Sequence, residues 1–125
     1  MVCYLIDDDH DDQEFFAMAL EQIDRKVQLM TSDNALDALE KLREPGMIPD
    51  LIFLDINMPR IDGWQCLKQL REIERLKKTP IVIYSTSKNG HARQDKQGFN
   101  AFLSKQPRIT ELSRKLEELF IEINV

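Results

Sequence analysis

Four consecutive apolar residues, Leu51-Ile52-Phe53-Leu54, stop abruptly at Asp55. A strand with one wet face alternates apolar and polar side chains. An unbroken apolar run this short reads instead as a strand covered on both faces, as in a parallel sheet lying between helices. The chain repeats the pattern. Cys3-Tyr4-Leu5-Ile6 ends at Asp7, Ile81-Val82-Ile83-Tyr84 runs into Ser85-Thr86-Ser87, Ala101-Phe102-Leu103 ends near Lys105, and Val27 to Thr31 is a further short strand. Between the strands the apolar period becomes helical. Phe15, Phe16, Ala19, Leu20 and Ile23 share one stripe from Glu14 onward, with Asp11 or Asp12 available as N-cap. Leu36, Leu39 and Leu42 mark a second helix closed by Pro45-Gly46, Cys66, Leu67, Leu70 and Ile73 a third, and Ile109, Leu112, Leu116, Leu119 and Phe120 the last. Strands alternating with helices predict an α/β fold, a parallel sheet with helices on both faces joined by right-handed crossovers. Residues 88–98 fit badly: Ala92 is their only apolar residue and Gly90 lies near their start. A fourth helix there has almost no face to bury, so it is expected to be short or frayed.

The 125 residues make one domain, 1–125, and a hydrophobic content of 42% suffices for one core. The net charge of −5 lacks the strongly basic balance of nucleic-acid binders. No apolar stretch approaches the roughly 20 residues of a membrane span, and Asp7 interrupts the N-terminal apolar run too early for a signal peptide. A cytoplasmic protein without membrane insertion is therefore expected. Cys3 and Cys66 are far apart, lack a CxxC spacing and lie in apolar-periodic segments, so they read as reduced core thiols. There is no room after Val125 for a DNA-binding or enzymatic output domain, so output is expected through protein contact, unless the sequence is a piece of a longer protein.

In open α/β sheets ligands bind beyond the carboxyl ends of the strands, and the chemically interesting residues cluster there. Asp7 and Asp8 follow the first strand, Asp55 the third, Ser85 the fourth and Lys105 the fifth. If the first and third strands are neighbours, three carboxylates converge. Two such charges about 5 Å apart repel by roughly 3 kcal/mol at an effective dielectric near 20. A hard divalent cation relieves that repulsion, and Mg²⁺ suits carboxylate, carbonyl and water oxygens. The same cation can neutralise an incoming phosphoryl group while Asp55 attacks phosphorus; Ser85 can donate its hydroxyl and Lys105 its charge to the phosphoryl oxygens. Residues 7–14 hold six acids in eight positions. Among them Asp11 and Asp12 read as charges at a helix N-terminus rather than metal ligands, and His10 as a solvated loop histidine. Thr86 is an alternative source of the hydroxyl, and Phe102 an ordinary core aromatic on its residue type alone.

Ile6-Asp7-Asp8, Leu54-Asp55-Ile56-Asn57-Met58-Pro59, Asp62-Gly63, Ser85 and Lys105 together resemble the signature of response-regulator receiver domains, in order and spacing along nearly the whole chain. The resemblance implies a doubly wound, flavodoxin-like sheet of five parallel strands in the order 2-1-3-4-5. It implies that Asp55 is the phosphoacceptor, charged by a sensor histidine kinase or a phosphotransfer protein. It further implies that Asp8, Asp55 and the Asn57 main-chain carbonyl ligate Mg²⁺, with Asp7 helping through water. Ser85 takes the hydroxyl role that couples phosphate to a loop shift, Lys105 the phosphate-binding lysine role, and Phe102 the aromatic switch position. The downstream protein target stays unidentified.

One departure touches the site. The family usually has a proline directly after the lysine, often with a cis bond, whereas here Gln106 stands between Lys105 and Pro107. A cis bond before a non-proline residue costs about 3 kcal/mol, so a different loop is expected. Two other readings remain: a receiver-like binding module that is never phosphorylated, and a small phosphatase of the haloacid-dehalogenase type. The phosphatase would use the DxD within Asp7-Asp8-Asp9 but leave Asp55 unexplained.

Overall fold

The computed structural model describes residues 1–46, 48–86 and 98–125. Five strands, β1 (Val2–Ile6), β2 (Gln28–Ser32), β3 (Leu51–Leu54), β4 (Ile81–Ser85) and β5 (Ala101–Ser104), alternate with helices α1 (His10–Glu21), α2 (Ala35–Arg43), α3 (Gly63–Glu72) and α4 (Ile109–Glu122), with one turn of 3₁₀ helix at Glu74–Leu76. All four neighbouring strand pairs are parallel, in the order β2-β1-β3-β4-β5. This is the doubly wound sheet that the sequence predicts. The short fourth helix expected over 88–98 falls, apart from Gly98, on residues outside those described.

The alternation of side chains divides the core in two. Tyr4, Ile6, Ile52, Leu54, Ile81 and Ile83 face α2 and α3. Cys3, Leu5, Leu51, Phe53, Val82 and Tyr84 face α1 and α4. Strands β1, β3 and β4 are buried on both faces, which is why they lack polar alternation. On the α1/α4 side, Phe16 meets Phe53 edge-on at 4.8 Å between ring centroids, and Tyr84 at 5.3 Å.

Two helices differ from the periodicity. The buried stripe of α2 is Ala35, Ala38, Leu39 and Leu42, whereas Leu36 is 54% exposed. The spacing i, i+3, i+4, i+7 runs through the alanines, which are small enough to let the helix approach the sheet and carry less apolar signal than the leucines. α1 begins at His10 rather than near Glu14. Its N-cap is Asp9, whose carboxylate accepts the N–H groups of Asp11 at 2.9 Å and Asp12 at 3.1 Å. α2 stops where sequence requires. Glu44 precedes Pro45, which disfavours helical geometry, and it is extended at φ −72°, ψ 143°.

Cys3 lies on the α1/α4 side and Cys66 on the α2/α3 side; both are fully buried, so the sheet separates them. Burial pushes each thiol up to about 12. Neither thiol should therefore react with an aromatic disulfide reagent in the folded protein near about pH 8, while both react after denaturation. A fast-reacting thiol in the native state would contradict this packing.

Candidate functional site

The sheet ladder continues one residue past three strand ends. Asp7 N–H donates to the Ser32 carbonyl at 3.0 Å, Asp55 N–H to the Ile6 carbonyl at 3.0 Å, and Lys105 N–H to the Ser85 carbonyl at 3.1 Å. Each of these residues is thus anchored to the neighbouring strand, and their side chains project beyond the carboxyl edge of the sheet. The carboxylates of Asp7, Asp8 and Asp55 converge, each with an oxygen within 4.8 Å of the others. Asp7 is fully buried, Asp55 is buried and Asp8 is exposed.

The surrounding loops orient these groups. Asp7 Oδ1 accepts the Asp9 N–H at 3.0 Å, and the Gln13 side-chain amide donates to the Asp7 carbonyl at 2.7 Å. Asp55 Oδ1 accepts the Asn57 N–H at 2.9 Å. The loop after Asp55 then returns tightly. An Asp62–Gln65 capping box starts α3, and Gly63 N–H donates to the Ile56 carbonyl at 3.1 Å. A Cβ on residue 63 would overlap Ile56 Cα and lie 2.6 Å from the Asp55 carbonyl oxygen. Only glycine permits this close approach, which carries Asp62-Gly63 into the site's architecture.

Lys105 fills the centre. Its ammonium donates to Asp12 Oδ2 at 2.7 Å, Asp7 Oδ2 at 2.9 Å and Asp55 Oδ2 at 3.3 Å, with its side chain only 11% exposed. Burial alone would lower its pKa. The hydrogen bonds to Asp12 and Asp7 and the Asp55 charge outweigh burial and raise it above the usual lysine range. Asp7 moves the other way from an ordinary ion-pair partner. Burial outweighs the Lys105 hydrogen bond, and the Asp55 charge adds to it, pushing the carboxyl up to about 6.

The sequence-predicted residues therefore divide. Asp7, Asp8, Asp55 and Lys105 meet. Asn57 and Ser85 join at the rim, where the Asn57 side-chain amide donates to Ser85 Oγ at 3.0 Å; Ser85 is fully buried, whereas Thr86 is exposed. Phe102 is partly buried on β5 and packs against the α2/α3 core. The Lys105–Gln106 peptide is trans, and the Gln106 amide donates to the Ser104 carbonyl at 2.9 Å. His10 is exposed, as expected, but is the first residue of α1 rather than a loop residue, and its Nε2 sits 3.3 Å from Asp33 Oδ2. His91, which the sequence places in the polar segment 88–98, lies outside the described residues.

The residue the sequence reading missed is Asp12. It lies in the first turn of α1, a charge at the helix N-terminus as the sequence suggests, and its side chain also reaches Lys105. The available signal is Asp9 itself, an N-cap residue type placed just before the acidic first turn. With Asp9 as the cap, Asp12 falls on the inward side of the first turn.

The donor set is chemically uniform: three converging carboxylates supply only hard oxygen ligands, and Asp7, Asp12 and Asp55 share one lysine. These residues fit a hard divalent cation and not a soft one. A profile of the family described as response regulator receiver domain matches residues 3–117. Response regulator Rre1 of Synechocystis is 38% identical over 104 residues, covering 81% of this chain and 43% of Rre1. Two-component response regulator ORR6 of rice is 33% identical over 113 residues, covering 87% of this chain and 65% of ORR6. The crystal structure of the phosphorylated cyanobacterial phytochrome response regulator RcpA superposes with a TM-score of 0.81 at 25% identity, covering 95% of this chain and 90% of that one. The chain spans between 12% and 58% of the length of four further curated relatives.

The Asp7 shift has a definite sign. The carboxyl binds its proton more tightly in the folded chain, at about 6, than at the ordinary 3.8. In metal-free buffer its contribution to stability is therefore greatest below the ordinary value and is lost as pH rises toward 6 and beyond. Asp7→Asn should raise the urea midpoint near neutral pH and flatten its pH dependence between those two values. A variant less stable than wild type at neutral pH would refute this assignment.

Proposed function

The chain belongs to the response regulator receiver domain family, and we propose that it accepts a phosphoryl group on Asp55 from a sensor histidine kinase or phosphotransfer protein and signals in the cytoplasm by protein contact. The observation that carries this reading is the convergence of the Asp7, Asp8 and Asp55 carboxylates at the carboxyl edge of the sheet, with Lys105 bonded to Asp7 and Asp55.

In this reading Asp55 is the nucleophile. The Asn57 N–H fixes one of its oxygens, and the strand anchor fixes its main chain, so the carboxylate is held ready for attack. Asp8, Asp55 and the Asn57 carbonyl would hold Mg²⁺, with Asp7 helping through water, and the ion would neutralise charge on the incoming group. Lys105 offers its ammonium to a phosphoryl oxygen at the same place. Ser85 is the switch hydroxyl. Its oxygen accepts from the Asn57 amide, and turning toward a phosphoryl oxygen would disturb that bond and the end of β4. Phe102, paired with Ile83 in the β4–β5 register, is placed to feel such a shift. The haloacid-dehalogenase alternative loses its support, because Asp9 of the DxD is occupied as a helix cap while Asp55 belongs to the cluster.

Incubation with acetyl phosphate and Mg²⁺ should add one phosphoryl group to the intact mass. The gain should vanish in Asp55→Ala and in the presence of EDTA, and peptide mapping should locate it on Asp55. No mass gain in the wild type would leave an unphosphorylated binding module as the better description. Phosphorylation should also change amide hydrogen exchange at residues 84–86 and 101–104; unchanged exchange there would remove Ser85 and Phe102 from the coupling.

A further inference from the structure

The Lys105 ammonium has three N–H donors, and three carboxylates take them: Asp12 at 2.7 Å, Asp7 at 2.9 Å and Asp55 at 3.3 Å. A phosphoryl oxygen arriving at Asp55 finds no free donor unless one of these contacts is released. Asp7 is fully buried, and its other oxygen holds the Asp9 N–H. Asp55 is the acceptor itself. Asp12 differs from both. Its side chain is 37% exposed, so water can solvate it once it lets go, and it is not one of the three converging carboxylates.

The position of Asp12 also has a local cause. In a capping box a Glu or Gln three residues after the N-cap reaches back to the main-chain N–H of the cap. Here that N–H, on Asp9, already donates to Asp7 Oδ1. Asp12 is left to face Lys105 and makes the shortest of its three ion pairs.

We propose that Asp12 is a positioning residue that occupies one N–H of the Lys105 ammonium, a donor the incoming phosphoryl group would otherwise meet, and by this tether slows phosphoryl transfer to Asp55. The tether rests on the reading of Asp55 as phosphoacceptor. With acetyl phosphate as donor, an Asp55 carboxylate oxygen forms the bond to phosphorus while the bond to the acetate oxygen breaks. Acetate leaves with the electron pair, and no proton is transferred. The charge that Lys105 brings to the phosphoryl oxygens during this step is reduced by whatever Asp12 withholds.

The test compares initial rates of phosphorylation by acetyl phosphate and Mg²⁺ in the wild type, Asp12→Asn, Asp12→Glu, Lys105→Ala and the double variant Asp12→Asn/Lys105→Ala. Asp12→Asn should be faster by roughly fivefold, the size expected of one partly solvated ion pair. Asp12→Glu should restore the slower rate, and the double variant should be no faster than Lys105→Ala. A second readout needs neither phosphate nor metal. In the metal-free wild type the Lys105 ammonium protons should exchange slowly with water by NMR, and exchange should accelerate in Asp12→Asn. An unchanged rate in Asp12→Asn, an equal acceleration in the Lys105→Ala background, or unchanged ammonium exchange would overturn the tether and leave Asp55 as phosphoacceptor untouched. A wild type that takes up no phosphoryl group would overturn the phosphoacceptor reading, and the tether with it.

Discussion

The main-chain bonds from Asp7, Asp55 and Lys105 to the last carbonyls of neighbouring strands are the constraint on which the site rests. Parallel pairing in the order β2-β1-β3-β4-β5 places β1 beside β3 and β4 beside β5. The ladder's fixed register then delivers residues 7, 55 and 105 to the same edge at the same height. A side chain on a free loop would have to lose conformational freedom to reach this arrangement, at about 1–2 kcal/mol per backbone residue fixed. Here that ordering is already part of forming the sheet. The apolar core on both faces therefore positions charged groups that contribute nothing to the core themselves.

Those charges work against the fold that holds them. Asp7 is fully buried and Asp55 nearly so, with Asp8 beside them, and Lys105 is the shared counterion of Asp7, Asp12 and Asp55. Hydrogen bonding in the site is nevertheless orderly, and among the described residues no buried side-chain nitrogen or oxygen lacks a partner. What is out of balance is charge, not hydrogen-bonding capacity. Surplus negative charge over hard oxygen donors is the condition under which a small divalent cation binds well, and local cost tolerated for that end is typical of functional sites. Asp7 titrates above the ordinary carboxyl range despite an ammonium 2.9 Å away chiefly because burial disfavours its charged form, and the Asp55 charge adds to that.

Much of this was legible in the residues. The runs at 3–6, 51–54 and 81–84 are apolar throughout because both faces of the central strands are covered, so the strand ends, and with them Asp7, Asp55 and Ser85, could be placed directly. Lys105 was equally plain as a site residue, although not as a lysine with three acidic partners, because the third comes from a helix whose start was misplaced. Leu36 misled for a different reason. Leucine weighs heavily in a periodic pattern, yet the surface facing the sheet is set by Ala35 and Ala38, whose small side chains carry little signal on their own. Neither error altered the topology, since each concerned which way a helix faces and not which strands it connects.

The error at α1 matters more, because it concealed a functional contact. Apolar periodicity reports where a helix touches the core, and the first turn of α1 touches none of it: His10 and Asp11 are exposed, and Asp12 faces Lys105 rather than apolar neighbours. The start of that helix is written in capping chemistry, with Asp9 accepting the N–H groups of Asp11 and Asp12. Helices that open at the carboxyl edge of a parallel sheet begin beside the ligand site, so their polar first turns have two duties at once. They satisfy free N–H groups and they supply charge to the site. In residues 7–14 the two duties are divided within one acidic run: Asp7 and Asp8 join the converging carboxylates, Asp9 caps, and Asp12 reaches Lys105. Amino-acid type cannot separate these roles, since all four are aspartates. Geometry separates them, through which N–H each carboxylate can reach and which have already been taken.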